Sequence, residues 1–261
     1  MKVLSEVLKS VASPICRRTK DYDDVVANRP LSFIAQINCA DACKYDKDGL
    51  LPTKGMLYFF YDMATMKWGY DPKDKGSARV FYYSGDISEL CKTEFPANLS
   101  SEYRIPEAPV AFPVSHKAEL PDFEEFAQLV GDIDYKQWAE FDEAKAKMGF
   151  DSEEDEDEER KWGKTKLLGY ANLVQGGMLL ECETSSNGIY SGDGKINATE
   201  EEMRQYKQYC KQWQLLFQLG SIDIGNYELM WGDVGKIYFY IKIDDLKNLN
   251  FDNCWLVLQC G

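Results

Sequence analysis

Histidine is almost missing from this chain of 261 residues: His116, in "PVSHKAEL", is the only one. A Ser-His or Cys-His catalytic pair would have to be built on it, and it sits among prolines with no nucleophile motif beside it. Zinc held through histidine is all but excluded for the same reason. The eight cysteines contain no C-x-x-C; the nearest pairs, Cys39-x3-Cys43 and Cys254-x5-Cys260, lack the paired spacing of a four-cysteine site. Also missing are G-x-G-x-x-G, a P-loop and G-x-S-x-G. "GYANLVQGG" and "NGIYSGDG" carry glycines, but neither cradles a phosphate by motif. No metal and no cofactor are expected. No apolar run approaches the length of a membrane span. Basic charge is scarce, with 30 Lys and Arg against 44 Asp and Glu, and no basic stripe is visible. Polyanion binding needs clustered cations, so nucleic acid and anionic membrane are excluded as partners.

What the chain has is acid, and much of it sits in one place. "DSEEDEDEE" (151–159) holds eight acids and no base, and without those eight the net charge of −14 falls to −6. Such a block cannot bury and repels itself, which predicts a disordered surface loop. The first residues, "MKVLSEVLKSVASPICRR", place Val3, Leu4, Val7, Leu8 and Val11 on one helical face. Glu6 and Lys9 interrupt the apolar stretch, so a short helix is expected rather than a signal peptide. The cysteines sit mostly in apolar runs, as free thiols do. The expectation is a cytoplasmic protein with reduced thiols, in which the sequons at Asn98 and Asn197 carry no meaning.

Strands are expected at "LSFIAQIN" (31–38), "GMLYFFYDM" (55–63), "ARVFYYS" (78–84), "MLLECE" (178–183), "WQLLFQLGS" (213–221), "KIYFYIK" (236–242) and "CWLVLQC" (254–260). Five of the nine prolines fall within 96–121, which reads as loop plus edge strand. Helices fill the middle. Asp122 with Glu125, Asp134 with Gln137 and Thr199 with Glu202 each have capping-box spacing. One pattern occurs twice. Gln36 in "FIAQIN" precedes Gly55 in "GMLYFFYD", and Gln218 in "LLFQLG" precedes Gly235 in "GKIYFYIK", at nineteen and seventeen residues. Two related strand-loop-strand units in one domain, 31–261, would explain this; chance likeness of apolar strands is the alternative. The fold class is therefore α+β, mainly antiparallel sheet, internally duplicated.

"LSFIAQIN", "LPTKGMLYFFYD", "LLGYANLVQGGMLLECE", "WQLLFQLGS", "MWGDVGKIYFYI" and "WLVLQC" together resemble the YwqG-like family, a bacterial domain of unknown function. The resemblance covers roughly residues 31 to 261 and implies a single α+β domain with related sheet halves. It carries no reaction. The chain departs from the family pattern in two places. "CRRTKDYDDVVANRP" stands where Gly-Gly, Leu-Pro and Trp-Pro would be expected, which leaves 1–30 as a helix and a shortened linker. Thr165 and Ala171 replace the histidine and the proline of a His-Lys-Leu-Leu-Gly-Tyr-Pro stretch.

Two stretches invite a site. "SGDGKINATEEE" (191–202) imitates a calcium loop, with Asp193, Ile196, Asn197 and Glu200 at ligand positions, but the first position falls on Ile189. A polar turn into the Thr199-capped helix is the better reading. Trp231-Gly232-Asp233-Val234-Gly235 can be a hairpin turn, with glycines at positive φ, Asp233 bonding nearby amides and Trp231 covering the hairpin base. It can also be a polar spot in an aromatic pocket, with Trp231, Asp233, Tyr238 and the repeat residue Gln36 as the candidate binding set. The functional expectation is a non-enzymatic binding or protein-interaction module acting on a protein partner or a small ligand. An immunity-like or accessory role, neutralising a basic partner through the acidic surface, is one concrete form. The alternative is a hydrolase-type enzyme with acids assembled near Asp233.

Overall fold

The computed structural model describes residues 30–112, 119–131, 133–150, 163–192 and 194–261. The expected N-terminal helix, His116, the acid run and Asp193 lie outside them. Along the described chain the order is β1 (Ser32–Asn38), α1 (Cys39–Ala42), β2 (Met56–Tyr61), β3 (Ala78–Tyr83), α2 (Phe123–Val130), α3 (Trp138–Lys147), β4 (Lys166–Leu167), α4 (Leu179–Ser186), α5 (Glu200–Tyr209), β5 (Trp213–Gly220), β6 (Ile222–Ile224), β7 (Tyr227–Leu229), β8 (Lys236–Lys242), α6 (Ile243–Lys247) and β9 (Trp255–Gln259). The fold is α+β with three antiparallel sheets, β1-β2-β3, β4-β5-β8-β9 and β6-β7. No helix of the described residues is long and apolar enough to cross a membrane.

The chain forms two compact units. The first takes the described residues within 1–67, 73–114 and 243–254, and holds β1-β2-β3. Leu57, Phe59 and Tyr61 point to one side of β2 and are buried outright. Met56, Tyr58 and Phe60 point to the other, where Phe60 stacks edge-on against Phe33 at 5.7 Å and Phe81 at 5.6 Å. The second unit takes 68–72, 255–261 and the described residues within 115–242. Its core packs Met178, Leu179 and Cys182 from α4 and its N-cap against Leu215, Tyr238, Tyr240, Trp255 and Val257 of the sheet. Tyr238 and Tyr240 share one face of β8 while Ile237, Phe239 and Ile241 share the other, and both faces are buried.

The two larger sheets share a register. Gln36 pairs with Tyr58, and Ile34 is the extra residue where the ladder shifts between Phe33 and Ala35. Gln218 pairs with Tyr238, and Leu216 is the extra residue between Leu215 and Phe217. Each bulge thus stands two residues before its glutamine. On the third strand Phe81 faces Tyr58, and Val257 faces Tyr238. Gly55 and Gly235, just ahead of β2 and β8, match as well. A Cβ on Gly55 would lie 2.3 Å from the Tyr83 carbonyl oxygen, and one on Gly235 would lie 2.1 Å from that of Gln259. Both positions need glycine because the third strand passes so close.

Several expectations are corrected. "MLLECE" is not a strand: Leu179–Ser186 is a helix, with Leu179, Cys182 and Glu183 buried at helical spacing. Residues 96–112 and 119–121 contain a single 3₁₀ turn, Ser101–Tyr103, and no edge strand. The capping boxes at Asp134–Gln137 and Thr199–Glu202 form, but Asp122 caps α2 without a side-chain bond, for a reason given below. The turn after Trp231 does not close a β7–β8 hairpin. β7 pairs with β6, whereas β8 lies between β5 and β9, so the turn links two sheets.

Candidate functional site

The densest group of buried polar side chains lies in the second unit, around "GYANLVQGG" (169–177). This stretch is neither strand nor helix, so its peptide groups need partners from elsewhere. Side chains supply them. The Gln214 amide donates to the Gly169 carbonyl at 2.8 Å. Glu119 accepts from the Tyr170 N–H at 3.2 Å, and Lys166, paired with Glu119, donates to the Tyr170 carbonyl at 2.9 Å. Glu125 accepts from the Ala171 N–H and Asp122 from the Leu173 N–H, both at 3.2 Å. Those two acids were the expected capping box; the crossing segment claims both. Gln259 Oε1 accepts from Val174 and Gln175, each at 3.0 Å, while its Nε2 donates to Gly176 at 2.8 Å. Gln128 closes the run on Gly177 and Leu180.

Asn172 is held at both ends of its backbone. Gln218 Oε1 accepts its N–H at 2.9 Å, and the Tyr238 hydroxyl donates to its carbonyl at 2.7 Å. The buried Lys236 ammonium reaches the same carbonyl at 3.4 Å. Gln218 also donates to the Lys164 carbonyl and to Asn172 Oδ1. Gln218 and Tyr238 therefore act as a two-point clamp on one residue of an extended chain. A glutamine in the middle of an apolar strand is the signal that could have found this site, since a buried amide must be paired.

The electrostatics follow from burial. Glu125, 2% exposed, is pushed up to about 7, chiefly by desolvation. The Ala171 N–H opposes the rise, Asp122 adds to it, and Lys166 and the Tyr240 hydroxyl oppose it. Tyr240 is driven well above its usual range by burial and then by Glu125. The Glu181 carboxylate on α4 makes no hydrogen bond or ion pair among the described residues, and burial raises it too to about 7. The Glu183 carboxylate pairs with Lys242 and accepts from the Trp213 indole N–H, each at 2.8 Å. No group of three or more acids, cysteines or histidines among the described residues could hold a metal.

The four residues singled out in the sequence lie in different settings. Trp231 is fully buried and its indole N–H donates to the Gly220 carbonyl at 3.2 Å. Asp233 is exposed; among the described residues its carboxylate makes no hydrogen bond, and its backbone carbonyl accepts from Gly261 at 2.9 Å. The local amides it was expected to bond do not reach it. Gly232 takes φ +61°, but the second left-handed position falls on Val234, at +49°, not on Gly235. Tyr238 belongs to the clamp. Gln36 stands exposed in the first unit.

The chain belongs to the family described as a domain of unknown function (DUF1963), whose model matches residues 13–260. No curated protein matches it.

Proposed function

We propose that this chain is a non-enzymatic binding module of the cytoplasm, a single YwqG-like domain with an internally duplicated sheet, that engages a protein partner of basic character. One observation carries the reading. The group that most resembles an active site, Glu125 with its raised pKa beside Tyr240, has both carboxylate oxygens occupied, by the Ala171 N–H and the Tyr240 hydroxyl. Perturbed acids mark catalytic sites when a substrate can reach them. Here the carboxylate is buried and serves the chain's own backbone. Asp233, first suspect of the hydrolase alternative, stands exposed, and its carboxylate makes no hydrogen bond among the described residues. The shared register of the two sheets, bulge for bulge, supports the duplication. The net charge of −14 supports a basic partner, because opposite charge speeds and selects encounter.

The test is affinity capture on the immobilised full chain from native extract at low and at high salt. A discrete basic protein retained at low salt and released at high salt is the expected result. Retention no greater than that of an unrelated acidic protein, together with a hydrolytic turnover abolished by Asp233→Asn, would replace this reading with the enzyme.

A further inference from the structure

The clamp on Asn172 has a counterpart whose partners are missing. By register, Gln36 corresponds to Gln218, Tyr58 to Tyr238 and Phe81 to Val257. Both pairs stand across antiparallel strands, with the same bulge two residues before the glutamine. In the second unit the pair holds the N–H and the C=O of one extended residue. In the first unit neither the Gln36 side-chain amide nor the Tyr58 hydroxyl makes a hydrogen bond among the described residues. No buried side-chain polar atom of the described residues lacks a partner, so the Tyr58 hydroxyl reaches solvent although its ring is buried. Gln36 is exposed beside it. Around them Phe33, Met56, Phe81 and Leu90 are only partly buried against Tyr58 and Phe60. A donor, an acceptor and an apolar floor thus repeat the setting that seats Ala171-Asn172-Leu173.

We propose that Gln36 and Tyr58 form a second backbone clamp, which takes an extended segment of the basic partner protein. Gln36 Oε1 accepts one peptide N–H, the Tyr58 hydroxyl donates to the carbonyl of the same residue, and the neighbouring side chains lie on Phe33 and Phe81. The internal segment indicates the chemistry: a small or apolar residue on each side of the clamped one, in a chain without regular secondary structure. The acidity of the protein favours lysine or arginine in the flanks. Recognition of backbone gives affinity, and the apolar floor gives specificity. The proposal rests on the binding reading above and locates it.

A peptide library displayed on phage, selected against the full chain, provides the probes. Selected peptides are synthesised and titrated by fluorescence anisotropy into the wild type, Gln36→Ala and Tyr58→Phe. Thermal midpoints of the variants check that they fold; Gln36 is exposed, and Tyr58→Phe keeps the ring. The expected result is basic peptides whose affinity falls about fivefold to tenfold in each variant, the scale of one hydrogen bond, with amide exchange slowed at 33–38 and 56–60. Peptides that bind both folded variants as well as the wild type would overturn the clamp and leave the binding reading intact. A selection that yields no specific peptide at all would overturn both.

Discussion

Replacing Glu125 with glutamine should make the protein more stable above neutral pH. Glu125 is 2% exposed and its carboxyl is raised from 4.5 to about 7 by burial. The folded state therefore holds this proton more tightly than the unfolded chain does. Stability from this group is fully present below about pH 4.5 and is lost as pH rises through about 7. At 1.36 kcal/mol for each pH unit between the two values, the loss is about 3 kcal/mol. That net rise already contains the opposing Ala171 N–H, Lys166 and Tyr240 hydroxyl and the reinforcing charge of Asp122. Glutamine carries no charge at any of these pH values. Its Oε1 can still accept from Ala171, and its NH₂ can donate to the Tyr240 oxygen.

The measurement is urea denaturation of both proteins at pH 4.5, 6, 7 and 8. Glu181, raised for the same reason, lowers wild type and variant alike as pH rises, so it cancels in the difference. The variant should match the wild type within about 1 kcal/mol at pH 4.5 and exceed it by roughly 1–3 kcal/mol at pH 8. A variant less stable than the wild type at pH 8 would refute the reasoning. It would mean that the charge-assisted bond to Ala171 outweighs desolvation, and that Glu125 is held as an anion. A difference that does not change with pH would refute it as well.

Other perturbations separate the structural clamp from the surface around it. Gln218→Ala removes the amide that bonds the Asn172 N–H, Asn172 Oδ1 and the Lys164 carbonyl, and chemical denaturation should show a loss of about 2–4 kcal/mol; a loss below about 1 kcal/mol would mean that water replaces the amide. Trp231→Ala should cost roughly 3–5 kcal/mol, since the ring is fully buried and bonded, whereas Asp233→Asn should change stability by less than about 0.5 kcal/mol because its carboxylate is exposed and bonds none of the described residues. Val234→Gly should raise the thermal midpoint: a β-branched residue at φ +49° stores strain, and relief of roughly 1 kcal/mol exceeds the added chain entropy. A lower midpoint would place the valine's packing above its strain.

The strands were legible because each combines apolar density with aromatic or β-branched residues between polar loops. "KIYFYIK" and "LSFIAQIN" left little choice. "MLLECE" failed because six residues are too few to separate period 2 from period 3.6, and only packing of Leu179 and Cys182 decides it. Capping boxes divide along burial. Asp134–Gln137 and Thr199–Glu202 are exposed, have no tertiary competitor and form as spaced. Asp122 and Glu125 have the same spacing, but Ala171 and Leu173, 46 and 51 residues away, compete for them and win. The site was half legible for a similar reason. Repetition of the glutamine and glycine was visible in the chain, yet their purpose was not. It depends on a carbonyl 2.1 Å from a missing Cβ and on an amide brought in from 172.

That purpose also decides how the two sheets should be compared. A buried glutamine is costly unless all its polar atoms are paired, and Gln218 meets that condition with three bonds to residues 164 and 172. Its role is then fixed by the fold: without the crossing segment the amide would destabilise the sheet. Gln36 faces no such demand, because its amide is exposed to water. The same two residues in the same register can therefore do opposite work. In one sheet the peptide is covalently part of the chain, its effective concentration is high, and the clamp contributes stability. In the other, on the proposal above, the peptide belongs to a partner, and the same register contributes affinity instead. Substituting the two glutamines separately should accordingly move different observables, the unfolding midpoint for Gln218 and the peptide dissociation constant for Gln36.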